Sequence, residues 1–409
     1  MHLNVLRALY RWHNALALML CINQATLCQE MELESSQDTD EGCPSFQLNS
    51  VCPCYPFEEG LHIECPYVDI LTVQNVISKI NRTIYSFTIY DLDKSVDVLS
   101  KELFVQPNLT SKTVVLKKLY ITLSHIRDVD DSFVDLFQKH LKEINIVTSR
   151  LSAVPKEINR LLNLNQINFE SNSVTEVSDH AFTNLRFLQT IILKDNLVNK
   201  LSENAFYGLE NCLLHLDLSE NKLNAFPILP LRRLETLSVL KLSFNEIANI
   251  IDKTLDLETF KLISLKQLDL NLSSNHLYNL DRIFSNLTNL QELYLSDNNI
   301  LEIGDETFTS CSSLSVLNLE MNSIHEIHED SLKNLQNLTQ IYLQNNHIKS
   351  IKRNLFTNSI NLDTLSLNDN LINHIDLHAF QNCDDLRELR LNNNKLKQIK
   401  KVTLKICQI

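Results

Sequence analysis

The chain has 409 residues, a formal net charge of −13 at pH 7, 4 glycines, 10 cysteines and 44% hydrophobic residues. Such acidity argues against nucleic acid or an anionic membrane surface as partner, because both would repel it. Four glycines leave no room for a phosphate-cradling loop or dinucleotide fingerprint, and no Gly-x-Ser-x-Gly occurs, so no cofactor is expected.

At the N-terminus, Arg7 and Arg11 precede the apolar run ALALMLCI at 15–22. That pattern predicts a secretory signal over 1–28, cleaved between Ala25 and Cys28. The run is too short to cross a bilayer, and no other stretch of 18 apolar residues follows. The expected product is secreted, with no membrane segment and a formal charge of −15 once two arginines are removed. Residues 29–42 (QEMELESSQDTDEG) are acidic and nearly free of apolar residues, the composition of a disordered leader.

Four cysteines follow within 43–66, at Cys43, Cys52, Cys54 and Cys65. An even, clustered set in an exported chain reads as a disulfide module, and Cys-x-Cys is not zinc-finger spacing. From 67 to 163 three segments, TIYSFTIYDL, LKKLYITLSHI and LKEINIVTSRL, keep a leucine frame but carry no asparagine at its end; Ser149 stands there in the third.

Over 164–409 the pattern becomes regular. Asparagines recur at Asn172, Asn196, Asn221, Asn245, Asn275, Asn298, Asn322, Asn346, Asn370 and Asn394, the last five always 24 residues apart. Each ends a phrase such as LSVLNLEMN in which apolar and polar residues alternate at period two, the mark of a short strand with one buried face. Apolar residues return two and five positions later, as at Ile324 and Ile327, and a larger side chain returns ten later at Phe182, Phe206, Phe308, Phe356 and Phe380, with Leu332 and Leu404 in the same slot. A sharp turn after the strand leaves backbone groups needing partners, and a carboxamide both donates and accepts. The asparagine is therefore expected to satisfy its own coil and the next.

A period in the twenties with this motif is identified as a leucine-rich repeat, which covers 164–409 well and 84–163 loosely. The family implies an α/β solenoid, mostly strand and loop, wound as a right-handed arc of about 13 coils with a parallel sheet on its concave side. The cysteine module resembles the N-terminal cap of extracellular leucine-rich-repeat proteins, and that resemblance implies the pairs Cys43–Cys54 and Cys52–Cys65. The cap followed by 66–151 resembles arthropod secreted proteins similar to the non-catalytic subunit of a luciferin monooxygenase.

Pro227 and Pro230 predict an extended outer side for one coil, and the 30-residue gap from Asn245 to Asn275 places about six extra residues around 256–261, read as an inert surface insertion with a binding protrusion as the alternative. Cys311, Cys383 and Cys407 fall where other coils carry core leucines, so buried free thiols are expected there and at Cys212. Five sequons, at Asn81, Asn108, Asn271, Asn286 and Asn337, are candidate glycan sites. The chain stops at Ile409 partway round a coil, as a truncated product or fragment would.

No catalytic or metal site is expected. His325-Glu326-Ile327-His328-Glu329 lacks the second helical histidine of a zinc protease and falls in a turn. His215, His276, His347, His374 and His378 occupy different phases of the coil. What remains is the sheet face. Its outward positions carry the acids Glu143, Glu170, Asp195, Asp217, Glu220, Asp269, Glu292, Asp297, Glu320, Asp369 and Glu388 against Lys194, Lys241 and Arg390, a formal −8. Tyr294 and Tyr342 share one outward column two coils apart, and Phe244 and Met321 add apolar contact. Aromatic anchors among charges are what protein-binding hot spots look like, and a merely solvated acidic face is the competing reading. A glycan at Asn271 would stand one coil before Tyr294 and push contacts toward later coils.

The expectation is a secreted glycoprotein of matrix or humoral defence, non-catalytic, binding a basic protein through Tyr294, Tyr342, Phe244, Met321, Glu292 and Glu320. The alternatives are the truncated ectodomain of a Toll-like or adhesion-type receptor, or an accessory subunit of an extracellular enzyme.

Overall fold

The computed structural model describes residues 43, 51–105, 114–247, 262, 264–269, 280, 284, 287–356 and 358–398. The expected signal, leader and insertion, together with Asn108, Asn271, Asn275, Asn286, Leu404 and Cys407, lie outside the described residues.

The architecture is the leucine-rich-repeat solenoid. A hairpin opens it: β1 (Cys54–Phe57) runs antiparallel to β2 (Gly60–Pro66). Gly60 takes φ +140° at the turn, and a Cβ there would lie 2.6 Å from the Thr83 carbonyl oxygen, so only glycine fits. Disulfides join Cys43 to Cys54 and Cys52 to Cys65. Loops of this length give each bond a stabilisation of roughly 3 kcal/mol through the unfolded chain, and the hairpin covers the apolar end of the first coil.

Every later strand adds in parallel, giving a 15-stranded sheet. The thirteen strands after the hairpin are β3 (Ile84–Tyr90), β4 (Leu116–Thr122), β5 (Glu143–Val147), β6 (Gln166–Asn168), β7 (Thr190–Ile192), β8 (His215–Asp217), β9 (Val239–Lys241), β10 (Gln267–Asp269), β11 (Glu292–Tyr294), β12 (Val316–Asn318), β13 (Gln340–Tyr342), β14 (Thr364–Ser366) and β15 (Glu388–Arg390). About twelve turns connect them. Register is constant: Glu292 faces Val316, Gln340, Thr364 and Glu388 in succession. The middle residue of each three-residue strand from Gln166 to Ser366 is buried, while its neighbours form the sheet face, as strand alternation requires.

The asparagines hold the turns. Asn346 donates through Nδ2 to the carbonyls of Leu343 and Gln344 in its own coil and of Leu319 in the preceding one, and accepts the Ile324 N–H at 2.9 Å. The same four contacts recur at Asn196, Asn221, Asn245, Asn322 and Asn370. The intercoil bonds point back to the preceding coil, which corrects the expectation that they reach the next. The cause is the turn itself: the side chain leaves it toward the coil already wound. Behind the ladder, phenylalanine rings stack coil on coil: Phe182 on Phe206 at 6.1 Å, Phe284 on Phe308 at 5.8 Å and Phe356 on Phe380 at 6.0 Å.

The first coils are built otherwise. β3 and β4 run seven residues and β5 five. Their outer sides carry α1 (Ile70–Lys79), capped by Asp69 accepting the Thr72 N–H at 2.8 Å, and α2 (Asp131–Phe137), capped by Asp130 on Ser132. Between strands and helices Phe104 meets Phe87, Phe133 and Phe137, with ring centroids 6.3, 5.8 and 5.0 Å away.

Two expectations need correction here. The prolines do not make an extended segment, because Ile228–Leu231 is a single helical turn, α3. Pro227 caps it and Pro230 lies within it, where a first turn has no N–H partner to lose. Cys212 is half-buried rather than buried, whereas Cys311 and Cys383 are buried and donate Sγ–H to the Phe284 and Phe356 carbonyls of the preceding coils at 3.6 and 3.5 Å.

Candidate protein-binding face

Strand alternation sets two outward columns on the sheet, and two more positions follow before each asparagine. In the second column Asp269, Tyr294, Asn318, Tyr342, Ser366 and Arg390 stand side by side on β10 to β15. Tyr294 and Tyr342 are thus two strands apart, ~10 Å along the stack. Both rings lie back along their own strands. Tyr294 donates its hydroxyl to Glu292 at 3.0 Å, and Tyr342 donates to Gln340 Oε1 at 3.1 Å. Partial burial, and then the bond to the Glu292 carboxylate, push the Tyr294 hydroxyl up to about 12. In the third column Gln344 donates to the Glu320 carboxylate, and the Asn318 carboxamide accepts the Glu320 N–H at 3.0 Å. The residue before each asparagine contributes Met321 and Phe244, each 52% exposed.

Tyr294, Tyr342, Glu292, Glu320 and Met321 therefore form one patch on three consecutive coils. Phe244 lies outside these three coils: it follows β9, three strands before Met321 in the same column.

The charge on this face is distributed unevenly. Lys118, absent from the sequence tally, pairs with Glu143 at 2.9 Å, and its ammonium lies 4.9 Å from the centre of the Tyr85 ring. Lys194 lies between Glu170 and Glu220 at 3.5 and 3.4 Å, and Arg390 pairs with Glu388 at 2.6 Å. Glu292, Asp297, Glu320 and Asp369 have no ion-pair partner among the described residues. Of these, Glu292, Asp297 and Glu320 stand on the coils of the tyrosine pair, while Asp195 and Asp217 on earlier coils likewise have no ion pair among the described residues.

Sequence reasoning missed three acceptor atoms beside Tyr342. Gln344 Oε1, Ser366 Oγ and Asn368 Oδ1 are buried without a hydrogen-bond partner. Both carboxamides spend their N–H on a carboxylate, Gln344 on Glu320 and Asn368 on Asp369, which fixes their orientation and leaves the oxygens unpaired. Residue alternation alone could have placed all three on the face, but not their orientation. Also missed was a second set of coil-to-coil bonds away from the sheet, where Asn334, Asn358 and Asn361 donate to the Thr309, Lys333 and Gln336 carbonyls at 3.1, 2.8 and 2.9 Å. Asn334 and Asn358 stand 24 residues apart, as do Asn337 and Asn361, a spacing readable in the sequence.

The remaining candidates lie apart from this patch. His325, Glu326, His328 and Glu329 are exposed around the buried Ile327; Glu326 takes the Lys352 ammonium at 2.8 Å, and His328 Nδ1 accepts the Asp330 N–H. Among the described residues no three His, Cys, Asp or Glu side chains gather as metal ligands would. Asn81 and Asn337 are exposed, each three residues before a strand, at the end of the sheet opposite the asparagines. Asn337 Nδ2 donates to the Ser312 carbonyl at 2.8 Å. No helix among the described residues is long and apolar enough to cross a membrane.

Comparison with known proteins agrees with the architecture. The BspA type leucine rich repeat region matches 238–347 and 279–409, and a second leucine rich repeat family matches 162–223. Lumican of Oryctolagus cuniculus is 30% identical over 186 residues, 45% of this chain and 90% of lumican. Toll-like receptor 10 of Bos taurus is 34% identical over 161 residues, 39% of this chain, and the chain spans only 18% of that receptor. Among solved structures, a leucine-rich-repeat protein of Leptospira interrogans aligns with a TM-score of 0.65 at 24% identity, covering 82% of this chain and 83% of that one, a likeness of fold. With its strands, ladder and disulfide hairpin in place, the chain belongs to the leucine-rich-repeat proteins.

Proposed function

We propose that this is a secreted, non-catalytic glycoprotein that binds a basic protein through the patch on β11 to β13. The observation that carries the reading is the coincidence of two half-buried tyrosines with acids lacking a cation: Glu292, Glu320 and Asp297 around Tyr294 and Tyr342. Aromatic side chains supply contact area at low entropy cost, and unpaired carboxylates steer a cationic partner. Glycans at Asn81 and Asn337 would line the far end of the strands and leave the patch open.

The test is to capture partners from extracellular medium on the immobilised chain, identify them, and measure their kinetics. A Tyr294→Ala, Tyr342→Ala variant is expected to lose at least tenfold in affinity, mostly through faster dissociation. The association rate should fall as salt rises. Full affinity in the variant, or an on-rate indifferent to salt, removes the proposal.

A second reading is favoured by the match to Toll-like receptor 10: the chain would be the ligand-binding part of a receptor ectodomain. The full-length transcript separates the two, since ~20 apolar residues after a further cysteine cap would support the receptor. The accessory-subunit reading rests on the resemblance of 66–151 alone, and co-purifying enzymatic activity would support it.

A further inference from the structure

The residue that precedes each asparagine, or the position equivalent to it, has a left-handed backbone. Its N–H donates to a carbonyl of the next coil, as from Tyr67 to Tyr90, Leu123 to Val147, Asp195 to Ser219, Asp297 to Glu320 and Met321 to Gln344. That bond fixes φ between 50° and 58° along the column. The region suits Asn and Asp, whereas a bulky side chain there is strained. Asp91, Asp195, Asp297, Asn345, Asp369 and Asn393 follow the rule.

Thr148, Ser171 and Glu220 depart from it with polar side chains, and four positions depart from it with large apolar ones. Tyr67, Leu123, Phe244 and Met321 have φ of 55°, 58°, 57° and 54°. Burial does not compensate them, because they are 82%, 53%, 52% and 52% exposed. Each is therefore unfavourable twice, in its backbone and in its contact with water, and neither cost helps the fold. Outliers of this kind, held by their surroundings, mark binding positions. They share one rim of the sheet with Asp91, Asp195, Glu220, Asp297 and Asp369, and no lysine or arginine occupies this column among the described residues. From Tyr67 after β2 to Met321 after β12 is ten strand spacings, ~48 Å.

We propose that this rim is a second docking line, taking an elongated protein segment in which apolar and basic side chains alternate. The inference rests on the reading of the chain as a binding protein; it shares Met321 and Asp297 with the tyrosine patch but does not use Tyr294 or Tyr342. The apolar residues supply contact, and the acids between them select lysine or arginine and repel anionic lipid.

The test uses a 14-residue peptide alternating lysine and leucine, which spans ~46 Å when extended, and a lysine–serine peptide of equal charge. The variant is Tyr67→Asn, Leu123→Asn, Phe244→Asn, Met321→Asp; aspartate is used at 321 because asparagine there would create a sequon with Ser323. The unmodified chain should bind the lysine–leucine peptide at least tenfold tighter than the lysine–serine peptide. The variant should erase that difference while its Tm stays level or rises, since the strain is relieved. Tyr294→Ala, Tyr342→Ala should weaken both peptides equally and keep the difference. Equal binding of the two peptides by the unmodified chain overturns the rim while leaving the acidic face standing, and binding of neither overturns both. A variant with a lowered Tm shows that the four residues serve the fold and overturns the proposal, as does binding of the unmodified chain to phosphatidylserine vesicles that the variant loses.

Discussion

The first three coils and the later ones close the same circuit by different means. In the later coils the strand is three residues long and a buried asparagine completes the turn with bonds to two coils. In β3 and β4 the strand runs seven residues, no asparagine follows, and helices with a four-ring phenylalanine cluster complete the core. Where the turn is not held by a side chain, backbone pairing and apolar volume hold the coil instead. The asparagine is thus one solution to a backbone problem and not the source of the fold.

That comparison breaks first at Phe104. If the early coils depend on apolar volume, Phe104→Ala should cost about 3–5 kcal/mol in chemical denaturation, because the ring is 2% exposed and touches three others. Asn346→Ala should follow at about 2–4 kcal/mol, since it strands three carbonyls and one N–H inside the coil. The equivalent Ser149, which bonds mainly to Ser124 Oγ at 2.6 Å, should tolerate alanine with a loss of about 1 kcal/mol or less. Equal losses at 346 and 149 would erase the distinction. Asp69→Ala removes one exposed cap from α1 and should cost about 1 kcal/mol. The cap hydrogen bonds from Thr72 hold the Asp69 carboxyl below its ordinary value, so its contribution is present above the usual carboxylate range and fades as pH falls below it.

The smallest effect distinguishes the two regions by titration. Tyr120 on β4 and Tyr294 on β11 are each pushed up to about 12, chiefly by burial, and then by hydrogen bonds to Glu143 and Glu292. The unfolded chain ionises both near 10.0. Folding therefore favours the protonated forms, so their contribution is complete below pH 10 and lost as pH climbs toward about 12. Phenolate absorbance should show Tyr120 and Tyr294 titrating late, with Tyr90 also raised by burial, and Glu292→Gln should bring Tyr294 down while leaving Tyr120.

Much of this was legible because the repeat is an arithmetic pattern. A 24-residue period with alternation fixed which side chains face inward, and the structure buries Leu317, Ile341 and Leu365 accordingly. The early coils were harder to read because their frame lost its marker. Asp69 three residues before Thr72, ahead of an apolar run, was an available signal for α1. The direction of the asparagine bonds, the helical turn around Pro230 and the unpaired oxygens of Gln344 and Asn368 depend on three-dimensional neighbours that no local pattern encodes. The ion pairs of Lys194 and Lys118 likewise depend on neighbouring coils, and they show which acids the tally could not mark as paired: Glu143, Glu170 and Glu220.

In the proposed function, recognition belongs to the variable residues around Tyr294 and Tyr342, with the ladder only setting their register. The direct measurement is the affinity of a captured partner for the unmodified chain and for Tyr294→Ala, Tyr342→Ala, with the fold of both verified by their denaturation midpoints. A loss of tenfold or more at an unchanged midpoint is the predicted result; unchanged affinity at an unchanged midpoint would contradict it.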